Sequence, residues 1–154
     1  MMHTTITAVP PDTPAARACV RAYIAELAQR FDGGFDPGAP TPADDAAFAA
    51  PHGVFLLARR DEDAVGCGGL KRLDPATGEI KRLWVAPDAR GLGLSRRLMA
   101  ELETHARDMG LSHVRLDTNR ALSEAQALYR KLGYVEIARY NDNPYADHWF
   151  EKRL

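Results

Sequence analysis

The chain has 154 residues, of which 45% are hydrophobic and 27% charged, and its formal net charge is −1. Such a chain is expected to fold as one soluble domain over residues 1–154, with no bulk electrostatic pull toward nucleic acid or an anionic membrane. Cys19 and Cys67 lie in apolar stretches and the five histidines show no HExxH or other ligand spacing, so no metal is expected and a reducing compartment suits the chain. The opening "MMHTTITAVPPD" lacks the basic and apolar regions of a leader, and no apolar run is long enough to span a bilayer. The expectation is a cytoplasmic protein.

"HTTITAV" is β-branched and alternating, and predicts a first strand. "TPAARACVRAYIAELAQRF" predicts a helix with Thr13 as N-cap and Pro14 in the first turn. Its Ala16, Val20, Tyr23, Ile24, Leu27 and Phe31 make one apolar face. The Gly- and Pro-rich "DGGFDPGAPTPADD" is a loop, with "TPADDAAFAA" offering a short second helix. "GVFLLARR", "AVGCGGLKRL" and "EIKRLWV" predict three strands joined by the turns "DEDA" and "LDPATG", most simply antiparallel; Pro87 closes the last.

From Leu94 the apolar residues Leu98, Met99, Leu102, Ala106 and Met109 follow a helical period that Gly110 stops, with Glu103 and Arg107 expected as an ion pair on the outer face. "HVRLDT" is a strand. "SEAQALYRKLG" is a helix with Ser123 and Gln126 as a capping box, Gly133 as terminator, and a buried stripe of Ala125, Leu128, Tyr129 and Leu132. "YVEIARY" and "DHWFEKRL" are a closing strand pair around the turn "NDNPYA". The helix between the fourth and fifth strands implies that these two run parallel. The expected fold class is α/β (α+β), a mixed, mostly antiparallel central sheet with helices on both faces.

The stretch "VAPDARGLGLSRRLMAELE" places Gly91 and Gly93 between a strand end and a helix start. Glycines there let backbone N–H groups turn inward at the positive end of a helix, which makes an anion site suited to a diphosphate. Arg90, Arg96 and Arg97 add charge at the same place. A Gly-x-Gly pair also serves as a plain turn with solvated arginines. A dinucleotide fingerprint would need glycine where Arg96 stands, and the Walker GK[ST] is missing.

"EIKRLWVAPDARGLGLSRRLMAELETHARDMGLSHVRLDT" followed by "EAQALYRKLGY" resembles the Gcn5-related N-acetyltransferases (GNAT). The family motif Q/R-x-x-G-x-G/A corresponds to Arg90, Gly91, Leu92, Gly93, Leu94 and Ser95, with Ser95 departing from the usual Gly or Ala. The resemblance implies acetyl-coenzyme A as co-substrate, its diphosphate on the amides from Arg90 to Arg96, and its pantetheine arm along Leu83, Trp84 and Val85. The Val85 N–H would hold the thioester oxygen.

It further implies Glu79 as the base that deprotonates an amine. Strand alternation puts Glu79, Lys81, Leu83 and Val85 on one face, where Lys81 is expected to pair with Glu79 and keep it charged. It implies Tyr129 as proton donor to the leaving thiolate. Asn119 is the candidate for the family asparagine, although Leu122 and Ser123 stand nearer the helix. His148 is a second candidate base.

The acceptor pocket is expected between the "FDGGFDPGAP" loop and the last turn, with Phe31, Phe35, Tyr140, Tyr145, His148 and Trp149 as wall candidates. Long loops over the site favour a small-molecule amine over a protein lysine or N-terminus. A non-catalytic acyl-coenzyme A sensor is the third reading, and the presence of Glu79 and Tyr129 argues against it. Exposed edges on the final strands leave room for a C2 homodimer.

Overall fold

The computed structural model describes residues 3–154; Met1 and Met2, the first positions of the segment read for a leader, lie outside the described residues. The strands are β1 (Thr4–Ala8), β2 (Gly53–Arg60), β3 (Asp63–Asp74), β4 (Thr77–Val85), β5 (His113–Thr118), β6 (Val135–Ile137) and β7 (His148–Arg153). The helices are α1 (Pro14–Arg30), α2 (Pro42–Ala47), α3 (Leu94–Asp108) and α4 (Ser123–Lys131), with a short 3₁₀ turn at Pro87–Ala89. The sheet order is β1-β2-β3-β4-β5-β7-β6. Every neighbour pair is antiparallel except β4 and β5, which α3 connects in parallel. The mixed, mostly antiparallel sheet expected from the sequence is therefore the one observed.

The sheet separates two apolar clusters. On one face α3 packs Leu98, Met99, Leu102 and Ala106 against Leu56, Leu70, Ile80 and Val114, and Tyr129, Tyr134 and Phe150 join the same cluster. On the other face α1 packs Ala16, Cys19 and Val20 with Phe48, Phe55, Leu57 and Cys67. The glycines of "CGG" in β3 make this close packing possible. A Cβ on Gly69 would stand 2.7 Å from the Phe48 ring, and one on Gly68 would stand 3.0 Å from Leu102.

Several local expectations are corrected. Thr13 occupies the N-cap of α1, but its hydroxyl donates to the Pro10 carbonyl instead of capping the helix. α4 has Leu122 at its N-cap and no capping box; Ser123 is its first helical residue, and the Gln126 amide reaches back to the Asn119 carbonyl. In the α4 stripe only Tyr129 is fully buried, because the helix flanks a cavity. The strand expected across "YVEIARY" pairs only from Val135 to Ile137, since Tyr140 and Asn141 are drawn off to bond Glu79.

Glu103 is not on the outer face of α3. It is buried, accepts hydrogen bonds from the Tyr134 hydroxyl and the Lys152 ammonium at 2.9 Å each, and stands 4.0 Å from Arg107. Burial, and then the Glu103 charge, hold the Tyr134 hydroxyl firmly protonated, so it serves as a donor. Glu103→Ala would strand a buried hydroxyl and a half-buried ammonium. Denaturant unfolding of this variant is expected to show a stability loss of about 1–3 kcal/mol with the denaturant slope unchanged.

Candidate active site

β4 and β5 share only three register positions, Thr77 with His113, Gly78 with Val114, and Glu79 with Arg115. From Ile80 onward they part. A bulge on the other edge of β4 accompanies the parting: Arg82 and Leu83 together stand opposite the single Gly68, and Arg82 takes φ 60°. The bulge inverts the alternation expected for the strand. Glu79 and Lys81 do not share a face with Leu83 and Val85; Leu83 and Val85 turn to the α3 cluster while Trp84 joins the α1 cluster.

Beyond the parting lies a cavity of about 830 Å³, lined by α1, the end of β4, the end of β5, α4 and the two long loops. The Ala86 N–H donates to Val65 of β3, so by alternation the N–H and C=O of Val85 point the other way, into the gap. Leu83, Trp84 and Val85 all line the cavity. An extended chain lying in the gap would meet the Val85 N–H, while the Val85 carbonyl is held by Arg90 at 3.0 Å.

At one end of the cavity the chain turns into α3. Gly91 and Gly93 adopt φ 81° and 75°, and Gly93 is the N-cap of α3 with no side-chain cap. No backbone N–H from Gly91 to Arg96 donates to a described protein acceptor; these include the orphan donors of the first helical turn. Leu92 is exposed, Leu94 is buried in the core, and Ser95 lines the cavity. Arg96 and Arg97 are exposed and make no ion pair with a described residue. Arg90 turns back instead, donating to the Val85 carbonyl at 3.0 Å and pairing with Glu26 of α1. Glu26 also accepts from the Trp84 indole at 3.2 Å.

Glu79 is 3% exposed. It accepts from the Tyr140 hydroxyl at 2.6 Å and from the Asn141 amide at 3.2 Å, with Lys71 and Lys81 at 3.6 and 3.7 Å. It faces a second, smaller cavity of about 440 Å³. Lys81, expected as its partner, bonds mainly to Asp117 of β5, at 2.9 and 3.1 Å, and bridges the parted strands. Lys71, Lys81 and Asn143 border both cavities.

Tyr129 is buried, lines the large cavity, and its hydroxyl makes no hydrogen bond with a described residue. Burial first, then Asp117 and Glu124, push its ionisation far above the ordinary tyrosine value, so it holds its proton at any physiological pH. Asn119 lines the cavity too, but both ends of its side chain are engaged: the amide donates to the Tyr145 carbonyl at 2.7 Å, and the oxygen accepts from the Ala121 N–H at 2.8 Å. It braces the turn before α4.

Phe31, Phe35 and Tyr145 form one wall of the large cavity, with Phe35 and Tyr145 edge to face at 4.7 Å. The Tyr145 hydroxyl donates to the Asp36 carbonyl and accepts from its N–H, tying the two loops together. Tyr140 borders only the smaller cavity. His148 and Trp149 border neither: His148 pairs with Glu136 at 2.7 Å, and Trp149 donates to Asn141.

Sequence reasoning passed over Asp117, Tyr23 and Arg82, which all line the large cavity. Asp117 and Tyr23 lay on regular elements with no local signal. For Arg82 the adjacent glycines of "CGG" were available as a bulge signal.

The row of free amides, the unpaired strand edge and the long cavity together fit an elongated ligand with an anionic end, as an acyl-coenzyme A has. The chain matches the family model described as acetyltransferase (GNAT) family over residues 21–134. A relative from Schizosaccharomyces pombe, described as an uncharacterized N-acetyltransferase, is 32% identical over 143 residues, covering 88% of this chain and 84% of that one.

An "IAA acetyltransferase" from Azospirillum brasilense is 40% identical over 94 residues, covering 60% of this chain; the match spans only 61% of that relative's length. A solved structure from Klebsiella pneumoniae, described as a putative acyl-CoA N-acyltransferase, superposes with a TM-score of 0.77 at 29% identity and covers 98% of this chain and 97% of that one. A GNAT family acetyltransferase from Elizabethkingia anophelis, solved with acetyl-CoA bound, shares the fold with a TM-score of 0.68 at 17% identity over 98% of each chain. The chain belongs to the GNAT acetyltransferase family and is an N-acetyltransferase.

Proposed function

We propose that residues 1–154 form one catalytic domain that moves an acetyl group from acetyl-coenzyme A to the amine of a small molecule by direct attack. The observation that carries the small-molecule reading is the shape of the large cavity. Its volume is in the range of small-ligand sites, and the reciprocal Tyr145–Asp36 bonds strap two loops across it where a peptide would need an open groove. Both cysteines are free, in keeping with a reducing, cytoplasmic setting.

The co-substrate supplies an activated acyl group as a thioester. The chain's part is to bind, orient and move protons. The amides from Gly91 to Arg96 hold the diphosphate. Arg90, already paired with Glu26, stiffens the approach to the loop and does not face the anion alone. The edges of Leu83 and Val85 align the arm, and the Val85 N–H polarises the acyl oxygen. Tyr129, protonated and without a partner among the described residues, donates to the departing sulfur.

An alkyl amine has a pKa near 10.4 and must lose a proton before it attacks. Glu79 takes that proton by way of water and the Lys81–Asp117 bridge, because Asp117 is the carboxylate of this network that borders the large cavity. Tyr140 and Asn141 fix the Glu79 carboxylate in place.

Gly93→Val forces a β-branched residue to φ 75° at the helix cap. Calorimetry is expected to show acetyl-coenzyme A affinity falling by about tenfold or more while the protein remains folded; unchanged affinity would remove the diphosphate from this loop. Glu79→Gln is expected to lower kcat by about a hundredfold at neutral pH with coenzyme affinity retained. If Asp117→Asn lowers kcat to that extent while Glu79→Gln does not, the base is Asp117. Tyr129→Phe is expected to lower kcat by about a hundredfold on acetyl-coenzyme A, and by less on acyl donors with more acidic thiols. Equal losses on all donors would mean that Tyr129 positions the substrate instead of protonating the thiolate.

A further inference from the structure

Most cavity-facing cations of this protein are matched by an anion. Arg30 pairs with Glu124 and Glu26, Arg90 with Glu26, Lys81 with Asp117, and Lys71 stands 3.6 Å from Glu79. Arg82 is different. It sits on the β4 bulge at φ 60°, borders the large cavity, and rests its guanidinium 4.9 Å over the Phe48 ring. Its guanidinium makes no ion pair or hydrogen bond with a described residue, although its main-chain carbonyl accepts from the Cys67 thiol at 3.2 Å, and its Nη1 is shielded from water without a partner. A guanidinium carries five N–H donors and no acceptor; the shielded Nη1 costs free energy where it stands, while Nε and Nη2, which are not shielded, keep their donors free for a ligand in the cavity.

The nearby carboxylates are already engaged. Asp44 accepts from the backbone N–H and hydroxyl of Thr41, which caps α2, and Asp117 holds Lys81 and Asn141. Tyr23 supplies a second free donor. Its ring borders the same cavity and its hydroxyl makes no hydrogen bond with a described residue. Burial first, then Tyr129 and Asp117, keep that hydroxyl protonated, while Arg82 acts on it in the opposite direction. Arg82 and Tyr23 therefore give this stretch of wall two free donor groups, with one Asp44 oxygen also left open. The adjoining wall of Phe31, Phe35 and Tyr145 is aromatic, with the Phe35 ring 6.3 Å from that of Tyr23.

We propose that the acceptor is a carboxylate-bearing amine of the amino-acid class with an apolar side chain, its carboxylate held by the Arg82 guanidinium and the Tyr23 hydroxyl and its side chain against Phe31, Phe35 and Tyr145. The inference rests on the reading of the large cavity as the acetyl-transfer site. The planar guanidinium suits a carboxylate in fork geometry, and Phe48 beneath it sets the plane.

The test measures acetyl transfer to the twenty free L-amino acids and to the same amino acids as C-terminal amides, together with calorimetric titration of both sets into the protein without coenzyme. At least one apolar amino acid is expected to exceed its amide by about tenfold or more in kcat/KM and in affinity, the size expected of a charge-assisted hydrogen bond. Arg82→Gln is expected to erase that preference while leaving acetyl-coenzyme A affinity unchanged, and Arg82→Lys to restore part of it. The proposal is overturned if amides serve as well as acids in every pair, if no amino acid binds or reacts, or if Arg82→Gln keeps the preference. Loss of coenzyme binding in the unsubstituted protein would defeat the acetyl-transfer reading instead, and the titrations without coenzyme would still decide the Arg82 pairing.

Discussion

The parting of β4 from β5 after three shared register positions governs where the rest of the site sits. Parallel strands normally continue side by side, and a gap between them leaves main-chain groups without partners. Here the Lys81–Asp117 bridge spans the opening, the Arg82 bulge re-aims β4, and α3 and α4 wall the space from beyond. The gap thereby becomes a slot edged by the Val85 N–H and leading at one end to the amides of the glycine turn.

The two carboxylates at the root of the slot divide their surroundings. Glu79 is gripped by two donors and flanked by two lysines on the side of the smaller cavity. Asp117 shares Lys81 and Asn141 with it but borders the larger cavity. The network joins the two spaces through polar side chains, and Asn141 touches Glu79, Asp117 and Trp149. The segment that would have lengthened β6 is the segment that builds this network, so a shorter strand and a fixed carboxylate are two aspects of one arrangement.

The regular elements were legible because period and punctuation are local properties. β2 runs over the residues that "GVFLLARR" marked, and Gly110 closes α3 with a positive φ as its position implied. What was not legible depended on distant partners. Glu103 reads as a surface charge until Tyr134 and Lys152 arrive from 31 and 49 residues away. The bulge at Arg82 needs β3 opposite it before two residues can face one, and with it goes the alternation that had put Glu79, Leu83 and Val85 on one face. At the candidate site the glycine turn announced itself, because few residues besides glycine hold φ near 80°. Asp117 and Tyr23 gained their places only from the parting of two strands.

The donors of the turn into α3 belong to the main chain, and this has a consequence for how the protein tolerates change. Leu92 projects into solvent, and Cβ atoms placed on Gly91 or Gly93 would meet nothing within 4 Å; the constraint on those two glycines is torsional, not one of space. Drift in the identity of the neighbouring side chains therefore leaves the amide array in place so long as the two left-handed torsions are kept. Residue-by-residue resemblance can fade here faster than shape.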